Sequence, residues 1–486
     1  MNLLAPTPDR PAVHWREHWL SYREMNRRAD ALAARLFEAG VRRGDRVAIL
    51  AVNHIAHFDL LLAAPRLGFV LAPFNHRLAA PEQKTLAEQL TPKLMLHDAA
   101  HAVTAAATGV ALRTLDHYED WLNAAPAPPP VAALDENALH LLLFTGGSTG
   151  LPKAAGIPYR QILANARATC SAWQVGADDC AIQAAPCFHA ALNVFTTPLL
   201  AAGGRIVLMP AFAPAEFLRL TQEQGVTVWF LVPTMYRMLT EDPGFARADL
   251  SRLRWAISGG APCPAPLAQA FAARGLRFKQ GYGMTECGVN CFTIDLDEAA
   301  RNPAAVGRPM PGLQAAIRNA DGGEVATGEV GELTLSGAQV FAGYYGRAQE
   351  TADALRDGWL WTGDLARRDE NGLYFIVGRR KEMFISGGEN VFPVEVESAM
   401  HQLAGIAECA VLGVPDARWG EVGLAAVAVA PGAHWDEGML CEALRPLLAG
   451  YKLPREFLFL DTLPKTGAGK IDKPALRRRF LAGRGA

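Results

Sequence analysis

Residues 139–156 read LHLLLFTGGSTGLPKAAG, an apolar strand that opens directly into a loop of glycines and hydroxyls. A strand feeding such a loop is the order expected in an α/β protein, where ligands collect at strand ends. Gly146, Gly147 and Gly150 let bare N–H groups approach a phosphate, Thr145, Ser148 and Thr149 add hydroxyl donors, and Lys153 adds a charge. Together they describe a grip for a triphosphate. The spacing is not that of a Walker A loop, because Leu151 and Pro152 stand where that motif needs Gly and Lys. An ordinary P-loop ATPase is therefore disfavoured.

The flanking sequence supplies the sheet. Ser21 and Glu24 form a capping box, Met25, Ala29, Leu32 and Leu36 share one face, and Gly40 can stop the chain, so 21–40 is predicted helical. RVAILA from Arg46 reads as a buried strand, a second helical stretch ends near Gly68, and FVLAPF from Phe69 is another short apolar run. Strands alternating with helices imply a parallel sheet covered on both faces. WAISGGAP from Trp255 and FKQGYGMTE from Phe278 each run from a short strand into a glycine turn, and APAPPP from Ala125 is a stiff linker. After about Gly378 the texture becomes a smaller α+β pattern. The expected fold is α/β, with a large N-terminal domain of parallel-rich sheets layered with helices (1–379) and a small α+β C-terminal domain (380–486).

With 486 residues the chain can bury several cores. Lys and Arg total 47 against 49 for Asp and Glu, a net charge of -2, so no global field draws it to nucleic acid or to an acidic membrane. Small-molecule chemistry is the better expectation. The start, MNLLAPTPDRP, has no basic n-region, and no apolar stretch is long enough to span a bilayer, which points to the cytoplasm. Eight cysteines spread from Cys170 to Cys441 read as reduced, mostly buried thiols. Neither Cys187 with His189 nor Cys287 with Cys291 has a second pair at zinc spacing.

Six ordered segments carry a family resemblance: FTGGSTGLPK, SGGAP from Ser258, GYGMTE from Gly281, WTGDLARRDENGLYFIVGRRKE from Trp361, ISGGENVFPVEVE from Ile385 and PKTGAGKI from Pro464. Taken together they resemble the adenylate-forming superfamily of acyl- and aryl-CoA synthetases, peptide-synthetase adenylation domains and luciferases. The resemblance implies an enzyme that joins a carboxylic acid to ATP, releases pyrophosphate, and passes the acyl group to a nucleophile. ATP, Mg²⁺ and CoA are the implied cofactors and co-substrates, with an amine or a carrier-protein thiol as the alternative acceptor. A non-catalytic adenylate-binding protein on the same fold is the reading from a different class. No nucleic-acid or membrane partner is implied, and the assembly is a monomer or a homodimer.

Residue by residue, the resemblance makes Lys470 the catalytic cation between carboxylate and α-phosphate, Thr285 a donor to that phosphate and Glu286 the Mg²⁺ ligand. Thr145, Gly146, Gly147, Ser148, Thr149, Gly150 and Lys153 would hold the phosphates. Gly259, Gly260, Ala261 and Pro262 would wall the adenine opposite Tyr282 and Gly283, while Asp364 and Arg379 would take the ribose. Lys381 matches the hinge about which the C-terminal domain would swing, and Gly387, Gly388 and Glu389 would face the thiol tunnel. Ala185, Phe188, His189, Ser258, Gly283, Met284 and Cys287 are the expected acid pocket. His189 stands near where amino-acid-activating relatives place an aspartate, so an aryl, alicyclic or medium-chain acid without an α-amine is expected. Gly146, Ala154 and Tyr159 depart from the family pattern, which more often has a hydroxyl residue, a glycine and a histidine there. Lys465 and Lys473 read as ordinary solvated lysines.

Overall fold

The structure, a computed structural model, describes residues 3–128, 135–145, 152–466 and 471–484. Seven strands, in the order Phe278–Gln280, Trp255–Ser258, Val228–Leu231, Cys180–Gln183, Arg205–Leu208, Pro11–Trp15 and His18–Ser21, make one sheet in which only the last pair is antiparallel. A second sheet orders Leu112–Thr114, Leu94–His97, Arg46–Leu50, Val70–Pro73, Leu139–Thr145 and Lys153–Pro158, again antiparallel only at its last pair. The glycine-rich segment therefore joins two antiparallel neighbours, with Thr145 opposite Lys153. Its two ends are fixed on adjacent strands.

The capping box forms as expected: the Ser21 hydroxyl accepts from Glu24 N, the Glu24 carboxylate accepts from Ser21 N, and the helix runs Tyr22–Glu38. The helix Ile55–Leu67 ends at Gly68, whose φ of 78° is the left-handed cap that glycine favours. An antiparallel sheet of Leu313–Arg318, Gly331–Gly337, Trp359–Arg368, Leu355–Arg356 and Tyr374–Arg379 follows. Beyond it, Glu389–Val391, Phe384–Ser386, Gly420–Val429, Ile406–Asp416 and Glu456–Phe459 form a separate sheet. Helices Pro393–Met400 and Glu437–Leu444 supply Val396, Met400, Leu440 and Leu444 to the core on one side of it, with Val411 and Val427. Leu476 of the helix Lys473–Arg484 packs with Leu412 and Leu424 on the other. The chain is α/β with parallel-rich sheets, followed by this small α+β layer. All eight cysteines are free thiols. Among the described residues no helix is long and apolar enough to cross a membrane, and no group of three or more His, Cys, Asp or Glu could hold a metal.

Two charged features lie inside the large cores. Arg28 grips Asp59 with Nε at 3.1 Å and Nη2 at 2.8 Å, the Tyr118 hydroxyl donates to the same carboxylate at 3.0 Å, and Glu119 pairs with the far edge of the guanidinium. The side chains of Arg28 and Asp59 are 5% and 0% exposed. Lys279 lies 4.2 Å from the Trp173 ring centroid and 4.1 Å from that of Trp255.

Burial pushes the Lys279 ammonium down to about 7, with Asp295 pulling the other way; the two indole faces also favour the cation. Since the folded-state value is depressed, the unfolded chain holds the extra proton between pH 7 and the ordinary lysine value, so stability rises with pH across that window. A slope of up to about 1.4 kcal/mol per pH unit is expected from this group. Urea midpoints measured from pH 7 to 10 should show it, and Lys279→Met should remove it. Identical slopes in the two proteins would refute the assignment.

Candidate active site

At the C-terminal ends of the seven-stranded sheet, Ser258 closes one strand and the chain turns through 259–262. Gln280, opposite Ser258 in the neighbouring strand, clamps that turn. Its Oε1 accepts from Cys263 N at 2.9 Å and its Nε2 donates to Gly281 O at 3.0 Å, while Gly281 N donates to Ser258 O at 2.7 Å. Gln280 escaped the motif reading because Cys263, whose N–H it holds, is its neighbour only across the sheet. One of the glycines here is tightly packed and another is sterically required. A Cβ on Gly281 would stand 2.9 Å from Ile257 Cδ1, and one on Gly283 would stand 2.0 Å from the Val289 carbonyl oxygen.

Tyr282, between those glycines, donates its hydroxyl to Asp364 Oδ2 at 2.6 Å. Arg379 Nε meets Asp364 Oδ1 at 2.6 Å, because the two residues are register partners on strands Trp359–Arg368 and Tyr374–Arg379. The Thr362 hydroxyl accepts from Asp364 N at 3.1 Å and donates to Leu333 O at 2.7 Å, fixing the backbone. Asp364 is 2% exposed. Burial first, and the Asp364 charge second, raise the Tyr282 hydroxyl, so it stays a proton donor. The result is a held carboxylate beside an aromatic face and a bare glycine turn.

On the other side stands Glu286, in the turn Thr285–Cys287. Gln161 Nε2 donates to Thr285 O at 2.9 Å, and Phe341 N donates to Glu286 O at 2.8 Å. The Glu286 carboxylate accepts from the Tyr344 hydroxyl at 2.9 Å, and the same tyrosine ring lies 5.2 Å from Lys153 Nζ. Tyr344 is held there by main-chain pairing, since Gly156 N donates to Gly343 O and Tyr345 N to Ala154 O, each at 2.8 Å. The tyrosine therefore links the lysine after the glycine-rich segment to the buried acid, a link the sequence reading missed. Burial raises the Glu286 carboxyl, opposed by Tyr344, Arg379 and Thr145.

Of the residues expected to form the acid pocket, Ala185, Phe188 and His189 lie in the segment 184–189. Asn53 pins it: Nδ2 donates to Ala185 O and Met209 O at 3.0 Å, and Oδ1 accepts from Cys187 N at 2.7 Å. His189 lies 5.6 Å from the Phe188 ring, which packs edge-on against His76 at 5.2 Å. Behind Ala185 is a cavity of about 10 Å³ bounded by Gln183, Ala191, Phe195 and Phe230, enough for about one water. A Cβ on Gly259 would touch the Phe230 ring at 3.1 Å, so this phenylalanine stands between the cavity and the glycine turn. Cys287 is enclosed by the main core.

Gly146, Gly147, Ser148, Thr149, Gly150 and Lys470 lie outside the described residues. Gly387 and Gly388 form the left-handed turn, φ 60° and 91°, of the hairpin Phe384–Ser386 to Glu389–Val391, and Glu389 is exposed. Lys381 follows Arg380, which pairs with Glu332 at 3.1 Å. Lys473 is not solvated as expected: it joins Glu382 and Glu397, each at 2.9 Å, tying the C-terminal helix to the chain just after Lys381. Lys465 likewise pairs with Glu408 at 2.6 Å.

The profile of the AMP-binding enzyme family matches residues 4–345, and that of the AMP-binding enzyme C-terminal domain matches 395–470. This chain belongs to the AMP-binding enzyme family. A feruloyl-CoA synthase of an Amycolatopsis species is 41% identical over 475 residues, covering 98% of this chain and 96% of the relative. An indoleacetate–CoA ligase of Aromatoleum aromaticum is 35% identical, covering 97% and 95%. The crystal structure of ATP-bound MatB from Rhodopseudomonas palustris superposes with a TM-score of 0.91 at 31% identity, covering 99% of both chains. Within this AMP-binding enzyme, two departures from the family pattern prove to be core residues. Ala154 is fully buried, and Tyr159 stacks on His140 at 4.2 Å between centroids, where a larger ring fills the space.

Proposed function

We propose that this protein is an ATP-dependent acid–CoA ligase for an aryl or similarly compact carboxylic acid. The observation that carries the reading is the Asp364 carboxylate, held by Tyr282 and Arg379 at 2.6 Å each, with Tyr282 set in a turn whose Gly283 admits no side chain. It has the acceptors for two ribose hydroxyls and an aromatic neighbour for a base. Glu286 forms no ion pair among the described residues and is held by a neutral hydroxyl. That is a fit for Mg²⁺, a hard cation that takes one carboxylate and completes its shell with phosphate oxygens and water. When bound, the ion would neutralise phosphate charge.

In this reading the acid's carboxylate oxygen attacks the α-phosphorus of ATP, the bond to the β-phosphate bridge breaks, and pyrophosphate leaves. Lys470 offsets the repulsion between the two anions, and Thr285 donates to the α-phosphate. The 145–153 segment, with its glycines, hydroxyls and Lys153, holds the β- and γ-phosphates. In the second step the CoA sulfur attacks the acyl carbon, the carbon–oxygen bond to AMP breaks, and the thiol proton goes to solvent. We place the domain division at 379/380, with Lys381 as the pivot and Gly387, Gly388 and Glu389 facing the thiol in that step. The apolar walls Ala185, Phe188 and Met284, together with the relatives that act on feruloyl and indoleacetyl groups, support an aryl acid.

Acid-dependent pyrophosphate exchange across a panel of aryl and aliphatic acids, followed by CoA addition, tests both halves. Exchange and acyl-CoA formation with an aryl acid are expected; products formed only with amines would overturn the choice of acceptor. Lys470→Ala should lose most of the exchange while remaining folded, and unchanged exchange would remove that lysine from its role.

A further inference from the structure

We propose that a groove at the far end of the seven-stranded sheet is a second binding site, for a phosphorylated small molecule of about mononucleotide size. The strands Cys180–Gln183, Arg205–Leu208, Val228–Leu231 and Trp255–Ser258 run parallel. The candidate active site gathers at their C-terminal ends, and the groove gathers at the starts. It has a volume of about 520 Å³ and is lined by Arg205, Arg252 and Arg254 with Asp178, Asp179 and Thr227, which falls in the range of roughly 300–1,000 Å³ for small-molecule sites.

The charges in this groove do not cancel. Asp179 is saturated: Arg254 Nη1 reaches both of its oxygens at 2.7 Å, Thr227 donates at 2.6 Å and Gly176 N at 2.9 Å. Asp178 faces Arg10 at 3.3 Å, with its side chain fully exposed. The Ser251 N–H and hydroxyl hold the Asp249 carboxyl below the ordinary range, with Arg252 only a minor cause. Among the described residues Arg205 and Arg252 thus form no ion pair. Arg205 is nevertheless braced, and Arg252 lies close against the backbone of Gly225. The Arg205 guanidinium lies 5.5 Å from the Trp19 ring centroid and reaches Gln224 O at 3.5 Å. The Arg252 guanidinium rests on Gly225, where a Cβ would stand 2.7 Å from Nη1 and φ is +60°. Two guanidinium forks without carboxylate partners, one of them braced, suit bidentate recognition of a phosphate.

The proposal is independent of the acid–CoA ligase reading. Calorimetric titration of the full chain with ADP, and competition by inorganic phosphate and by adenosine, test it. The parent should bind one more ADP per chain than Arg205→Glu/Arg252→Glu, and affinity at that site should fall at least about tenfold. Arg205→Gln/Arg252→Gln gives the same readout with less charge change. Asp364→Ala should retain the groove site, and phosphate but not adenosine should displace ADP from it. Identical isotherms in parent and double variants, or no ADP bound by Asp364→Ala, would overturn the site. A groove site that persists alongside absent pyrophosphate exchange would leave it standing while removing the ligase reading.

Discussion

Replacing Asp364 with alanine is expected to lower acid-dependent pyrophosphate exchange by about 10²–10⁴-fold. Two ribose hydroxyls donating to a buried carboxylate are each worth about 1.5–3 kcal/mol, and the sum converts to that range at about 1.4 kcal/mol per factor of ten. The ribose lies away from the reacting phosphorus, so the loss should fall mainly on KM for ATP, with kcat changing less. Stability should change little by comparison, because Arg379 is 45% exposed and can be solvated once its partner is gone. Asp364→Asn keeps the shape and isolates the charge. Exchange within a few-fold of the parent in the alanine variant would remove Asp364 from nucleotide binding.

Arg28→Met is expected to destabilise the folded state by about 3–5 kcal/mol, since it strands a buried carboxylate. Asp59 has no exposed surface and, among the described residues, would keep only the Tyr118 hydroxyl as a side-chain donor. Its carboxyl is already raised by burial even with Arg28 present, and without the guanidinium it would rise further. The sign follows: a raised folded-state value means stability present at low pH and lost as pH climbs through it. The variant should therefore be closest to the parent near pH 4 and furthest from it near pH 8 in denaturant midpoints. Arg28→Met/Asp59→Leu should recover much of the loss. A single variant with a flat pH dependence would show that the pair carries no such stress.

The first capping box, the left-handed glycine after the second helix and the strands around the glycine-rich segment were all legible in the sequence, because each is set by residues within a few positions of one another. Asp364, Tyr282 and Glu286 stood out by motif. What they touch did not. Tyr344 reaches Glu286 and Lys153 from 58 and 191 positions away, and Gln280 and Asn53 act through main-chain atoms that carry no side-chain signature. Lys473 read as solvated because its two glutamates are remote in sequence, Glu382 in the turn after strand Tyr374–Arg379 and Glu397 on the helix Pro393–Met400. Tyr159 read as an unexplained departure because His140, its stacking partner, becomes a neighbour only when the strand Leu139–Thr145 lies against the start of the helix Tyr159–Trp173.

The geometry of the glycine turn also tells an enzyme engineer where not to work. Libraries aimed at new acids should hold position 283 constant, since any side chain there meets the Val289 main chain. Diversity belongs at Ala185, Ala191 and Phe230, which line a small cavity behind the segment 184–189.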